Sequence, residues 1–189
     1  MHALTKLTIG AVVMTSLSGC LLTRNQEFNE RAADARDLRD ELDALPVVDR
    51  DDIPDAGSAT YTGVASLNLD QRVDFGEENM DYYSDVTLTA NFSNGDLEGN
   101  LTNFQTPEGA VDGTLTLENG QVIDNFVDGD FVGTITDDGQ DIAMDIDIDG
   151  LFRGDGTGDP AGLSGDLDGD YITDDGTGGV FGAYVATID

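Results

Sequence analysis

Two runs of alternating aspartates are the residues in this chain best suited to chemistry. Asp145-Ile146-Asp147-Ile148-Asp149-Gly150 matches the opening of an EF-hand loop, in which carboxylate oxygens at alternate positions converge on calcium. The place of the closing bidentate glutamate is taken by Gly156, so the run reads better as a strand with isoleucines on one face and carboxylates on the other. The second run, Asp166, Asp168 and Asp170 followed by Asp174 and Asp175, falls at a strand end and a turn. Hard oxygen ligands there suit calcium, although their spacing fits no defined loop. Tyr82 and Tyr83, at the edge of segment 70–82, offer a contact patch for a partner or a tyrosine ligand for haem. Amphipathic tips of this kind also simply cover the rim between a core and water. Catalysis has little to work with. The sole histidine is His2, in the N-terminal leader, which excludes triads with an imidazole base and histidine ligation of zinc or haem. With 39 acidic residues, close carboxylate pairs arise by chance, and no enzyme is expected.

The lone cysteine has a different chemistry. Lys6 with the amino terminus, the mostly apolar Leu7 to Leu17 and the small residues after them form the three parts of an export signal. The stretch is too short to cross a bilayer. Its end, Leu17-Ser18-Gly19-Cys20, resembles the bacterial lipobox, in which the cysteine is acylated on sulfur and becomes the first residue of the mature protein. Residues 1–19 are therefore expected to be a signal peptide and Cys20 a lipid anchor to the membrane. Several acyl chains on one residue hold stably where a single chain would not. The next residue is Leu21 and not aspartate, which by analogy with enteric bacteria points to the outer membrane. A single cysteine also excludes an intramolecular disulfide.

The formal charge is −31, from 39 acids against 8 bases, and only Arg72 and Arg153 among the bases lie beyond Gly57. Such a surface repels nucleic acid and anionic headgroups, so a charged partner should be cationic. Aspartate-rich surfaces also serve solubility alone.

The elements that must position these residues are legible from periodicity. Thr23-Arg24-Asn25-Gln26 has the form of a capping box, and Phe28, Ala32, Ala35, Leu38, Leu42 and Leu45 recur at steps of three and four until Pro46. The spacing predicts a spacer helix over 23–45, about 30 Å long, too short in heptads for a coiled coil. An exposed linker follows over 46–56. From Gly57 to the C-terminus, strands are expected near 58–69, 83–92, 96–104, 111–118, 121–136, 141–153, 163–171 and 178–187. Asn94-Gly95, Asn119-Gly120, Asp138-Gly139 and Asp175-Gly176 read as hairpin turns. Small residues interleaved with large ones on the apolar face, such as Gly63 and Ala65 with Tyr61 and Leu67, relieve crowding inside a closed eight-stranded sheet. The fold class is thus all-β, an eight-stranded antiparallel up-and-down barrel preceded by one N-terminal spacer helix. Its apolar face points inward, because many aspartates could not crowd a narrow lumen.

Gly57-Ser58-Ala59-Thr60-Tyr61-Thr62-Gly63, the hairpin Thr87 to Phe104, Gly150-Leu151-Phe152-Arg153-Gly154, Leu163-Ser164-Gly165 and Gly178-Gly179-Val180-Phe181-Gly182-Ala183 together resemble the β-barrel domain of transferrin-binding protein B. That family of surface lipoproteins includes factor H-binding and haemoglobin- or haem-capturing relatives. The resemblance covers 57–189 and implies a soluble barrel on an outer-membrane lipid anchor, displayed at the surface of a Gram-negative bacterium. This chain has one barrel where the type protein has two lobes, no handle domain, short loops, and a helix in place of a glycine-rich tether. The function expected is a binding module for an extracellular protein or an iron- or haem-related ligand, presented on the 70–82 and 105–110 loops, since binding residues gather on loops held by a rigid scaffold. The rival expectation is a structural acidic envelope lipoprotein, calcium-binding or not, with no receptor role.

Growth with a radioactive fatty acid is expected to label the wild-type protein and leave Cys20→Ala unlabelled. Equal label in both refutes the anchor.

Overall fold

The strict alternation over Asp141 to Phe152 becomes the sixth strand of a closed barrel. The computed structural model describes residues 18–70, 80–154 and 160–188, with side chains from Gln26 onward except at 70 and 80. The leader as far as Leu17 and most of the 70–82 segment lie outside the described residues. Eight strands follow one another as antiparallel neighbours: β1 (Ser58–Asp70), β2 (Met80–Asn91), β3 (Asp96–Thr106), β4 (Gly109–Ile123), β5 (Phe126–Asp137), β6 (Gln140–Arg153), β7 (Gly162–Thr173) and β8 (Gly176–Ile188). Pairing of β1 with β8, from Tyr61 opposite Ile188 to Asp70 opposite Gly179, closes the sheet. On β6, Ile142, Met144, Ile146 and Ile148 are buried, while Ala143, Asp145, Asp147 and Asp149 face water. The apolar face is therefore the inner one.

Side chains fill the lumen. Tyr61, Leu88, Leu101, Phe104, Leu115, Phe131, Ile146 and Phe152 are completely buried. At one end, Phe152 packs against Tyr61 and Phe92 with ring centroids 5.9 and 5.8 Å apart. At the other, Tyr82 is completely buried and its hydroxyl donates to Asp137 Oδ2 at 2.8 Å, joining β2 to β5 across the mouth. Gly150, Gly165 and Tyr184 stand side by side on β6, β7 and β8. A Cβ on Gly150 would come within 2.0 Å of the Tyr184 hydroxyl, so the phenol occupies the space that this glycine leaves, and one on Gly165 would meet the backbone of Asp149 and Gly150. The Tyr184 hydroxyl is buried without a hydrogen-bond partner.

Local chemistry misplaces two turns. Asn119-Gly120, read as a hairpin, sits inside β4. There the pairing with β5 slips between Glu118 and Gln121, and Asn119 adopts φ 53°. Positive φ at asparagine serves a bulge as well as a turn. The reversal comes at Asp124-Asn125 instead, with Asp124 at φ 59°. Asp138-Gly139 has the expected pair of positive φ values, 47° and 83°. The Asn94-Gly95 reversal is a four-residue loop over 92–95 closed by Gly95 N–H on Asn91 O, and the last turn is Asp174-Asp175, one residue earlier than Asp175-Gly176. The expected 105–110 loop shrinks to Pro107-Glu108, because β3 runs to Thr106 and β4 starts at Gly109.

The N-terminal segment is not a free spacer. Helix α1 (Ser18–Asp43) begins before the Thr23 capping box and lies along the outer wall, chiefly over β1 and β8. Its apolar stripe faces the barrel, with Ala32 and Leu42 buried and Phe28 edge-on to Tyr83 at 5.0 Å. Residues 46–56 are mostly exposed, as expected of a linker, but the segment is fixed to the barrel at Val48. Val48 is buried, its N–H donates to Phe152 O at 2.9 Å, and its carbonyl accepts from Asn125 Nδ2 at 2.8 Å. A buried valine with both backbone groups satisfied plugs the barrel end that Phe152 lines.

Tyr184→Phe is expected to raise the unfolding free energy by about 1 kcal/mol, because it removes an unpartnered buried hydroxyl, and Tyr82→Phe to lower it by about as much, because Asp137 loses its donor. Urea midpoints at unchanged slope measure both. Equal losses in the two variants would mean that the Tyr184 hydroxyl is satisfied.

Candidate functional site

With the lumen full, any binding chemistry must be on the outer wall or the two rims. The most highly charged part of the wall lies on β5, β6 and β7, where the register stacks aspartates in rungs. Asp128, Asp149 and Asp166 form one rung, Asp130, Asp147 and Asp168 the next, and Asp145 with Asp170 a third. Alternation puts all eight on the outer face, since each is flanked by residues that point inward. Like charges directly opposite one another on paired strands repel. At the middle rung a hydrogen bond with Asp130, then partial desolvation, then the charges of Asp130, Asp145 and Asp168 hold the Asp147 carboxyl above the usual range. Asn119 Nδ2 also donates to Asp130 Oδ2 at 3.0 Å.

The five aspartates expected to gather calcium do not converge. Asp166, Asp168 and Asp170 alternate along β7, about 7 Å apart at each step. Asp174 and Asp175 belong to the turn beyond, where Asp175 accepts from Gln140 Nε2 at 3.2 Å. Calcium needs oxygens within about 2.6 Å of one point. Among the described residues no group of three or more histidine, cysteine or acidic side chains could hold a metal. The strand that supplies the donors also holds them apart.

The tyrosine pair is divided in the same way. Tyr82 shares the parity of Val86 and Leu88 and points into the lumen, so it is removed from the candidate contact residues. Burial and the Asp137 carboxylate push its phenol up, away from the ionised form an iron ligand would take. Tyr83 faces outward, half-buried under Phe28. Beside it, Asp85 binds Arg31 of α1 and accepts from Asn103 Nδ2 at 2.6 Å. Ser18, Gly19 and Cys20 fall in the first turn of α1, and Leu17 lies outside the described residues. Among the described residues no helix is long and apolar enough to cross a membrane.

The carboxylate rungs were missed by sequence reading, which saw the aspartate runs but not their register. The signal was present: Asp128-x-Asp130, Asp145-x-Asp147-x-Asp149 and Asp166-x-Asp168-x-Asp170 occur on consecutive strands of a meander.

The family described as the C-lobe and N-lobe beta barrels of Tf-binding protein B matches residues 53–185. No curated protein matches the sequence. Among solved structures, a tryptophan-to-alanine variant of the vaccine antigen transferrin-binding protein B from Haemophilus parasuis Hp5 is 16% identical, with a TM-score of 0.51. The alignment covers 76% of this chain and 28% of that one. A double variant of the same antigen (18% identical, TM-score 0.47, 75% and 28% covered) and intact Ap-TbpB with its N and C lobes (18%, 0.43, 76% and 29%) also match.

The acidic wall sets a pH dependence. Because the folded value of Asp147 is raised above the unfolded one, the folded chain binds more protons between the two, so stability falls as pH rises through the raised value and grows as pH drops into that window. The melting temperature is expected to increase as pH falls from neutral towards the ordinary carboxylate range, and by less in Asp147→Asn, which should already melt higher at neutral pH. An identical rise in the variant would remove Asp147 as its source.

Proposed function

From the premise that the chain belongs to the family of transferrin-binding protein B β-barrels, we propose that it is a lipid-anchored outer-membrane protein displaying a binding module on the bacterial surface. The observation that carries this reading is a barrel of a binding-protein family whose lumen is closed at both ends. Tyr82 with Asp137 occupies one mouth and Val48 the other, so ligand recognition falls to the exterior. Its partner is an extracellular protein or an iron-source ligand carried by one. Transferrin itself is not assigned, because the chain spans less than a third of the transferrin-binding proteins it matches. The leader, the lipobox and Cys20 supply the anchor, and α1 connects that anchor to the barrel wall.

The eight-aspartate wall favours a second reading, an acidic envelope lipoprotein with a structural role. The two differ first in topology. Protease added to intact cells is expected to remove the barrel. Resistance until the outer membrane is opened would overturn surface display and leave the envelope role in its place.

A further inference from the structure

Helix α1 does not seat flush along its whole length. Between it and the outer faces of β1 and β2 a groove of about 630 Å³ remains open. Leu38 and Val64 give it apolar walls, and Asp34, Asp37 and Glu41 line its helical side. These three acids recur at steps of three and four, so they share one helix face and repel one another. Among the described residues none of the three is in an ion pair or side-chain hydrogen bond. Asp85, across the groove, is already held by Arg31 and Asn103, which also leaves the Arg31 charge neutralised. The three acids thus have no ion-pair or hydrogen-bond partner among the described residues, and they border the part of Leu38 that stays exposed above the buried Val64.

We propose that this groove seats a peptide segment of a protein partner in which basic and aliphatic side chains alternate. The aliphatic group would cover Leu38, and the basic one would lie among Asp34, Asp37 and Glu41. Charge complementarity selects this occupant. The net charge of −31 repels phosphate-bearing ligands and a second copy of the chain alike. The volume lies within the range of small-ligand pockets, enough for a few side chains. An open trough along a helix also accepts an extended backbone. The inference rests on reading the barrel as a binding module and is independent of the anchor and of cell-surface display.

The full chain carrying Cys20→Ala is titrated into a fluorescent hexapeptide of alternating lysine and leucine, at about 0.15 M salt, where long-range attraction is screened. Binding is expected, and the combined Asp34→Asn, Asp37→Asn and Glu41→Gln variant should weaken it about tenfold or more. Leu38→Gln should weaken it as well. Neutralising Asp130, Asp145 and Asp147 together on β5 and β6 should leave it within about twofold. Each variant is first shown to keep the wild-type circular dichroism. Absence of binding, equal loss from the two neutralised sets, or equal binding of a lysine-glutamine hexapeptide would overturn the proposal. Displacement by spermidine at the peptide's own concentrations would replace the peptide by a small polyamine and overturn it too. Because the assay uses purified protein, its failure is separable from a failure of surface display.

Discussion

The structure depends on a single seam, the pairing of β1 with β8. Every other strand pair joins sequence neighbours through a local connection, whereas this one brings together the two ends of the barrel domain. Closure there removes both sheet edges and allows an inner face to be apolar on all sides. The close approach is specific to small residues: a Cβ on Gly63 would fall 2.0 Å from Val185 O, and one on Gly182 would fall 2.1 Å from Ser66 O. Helix α1 lies over this same seam. Val64 and Val185 point outward from β1 and β8 yet are buried beneath it.

Charge is arranged around that closure. Among the described residues the lumen is apolar apart from phenols, small hydroxyls and the Asp137 carboxylate at its mouth, and the other acids of the strands face outward, with more on α1, the 46–56 segment and the turns. Three arginines bind the N-terminal segment to the barrel: Arg31 meets Asp85, Arg50 meets Asp124 at 2.9 Å, and Arg153 approaches Asp43 at 3.9 Å. Exposed pairs of this kind contribute little stability individually, so their effect is to set where the helix lies. The anchoring of Val48 supplies the apolar part of the same attachment.

The inward and outward faces were legible because alternation over Asp141 to Phe152 has only one solution in a half-buried sheet. The strand count was legible for the same reason. Positions decided by cross-strand register were not. Asn119 carries the same left-handed backbone in a bulge as in a turn, so sequence placed the reversal five residues early. Tyr82 carried its answer in its parity with Val86 and Leu88, but its place beside Asp81 and a long segment made it look like a rim residue. The linker reading of 46–56 caught its exposure but not its attachment, because prolines and aspartates dominate its composition while a single valine, Val48, decides its position. Calcium was suggested by donor type. Strand geometry, which sequence composition does not contain, keeps those donors apart.

The closing seam also determines how the domain can be used in a longer polypeptide. β1 opens near Ser58 and β8 ends at Ile188, with Tyr61 opposite Ile188, so the chain enters and leaves the barrel at one end and within one strand spacing. A unit with adjacent entry and exit can be strung with others like a bead, since lengthening the polypeptide on either side need not disturb a single rung of its ladder. Gene duplication of such a unit yields a concatemer of intact barrels without any rewiring of their interiors.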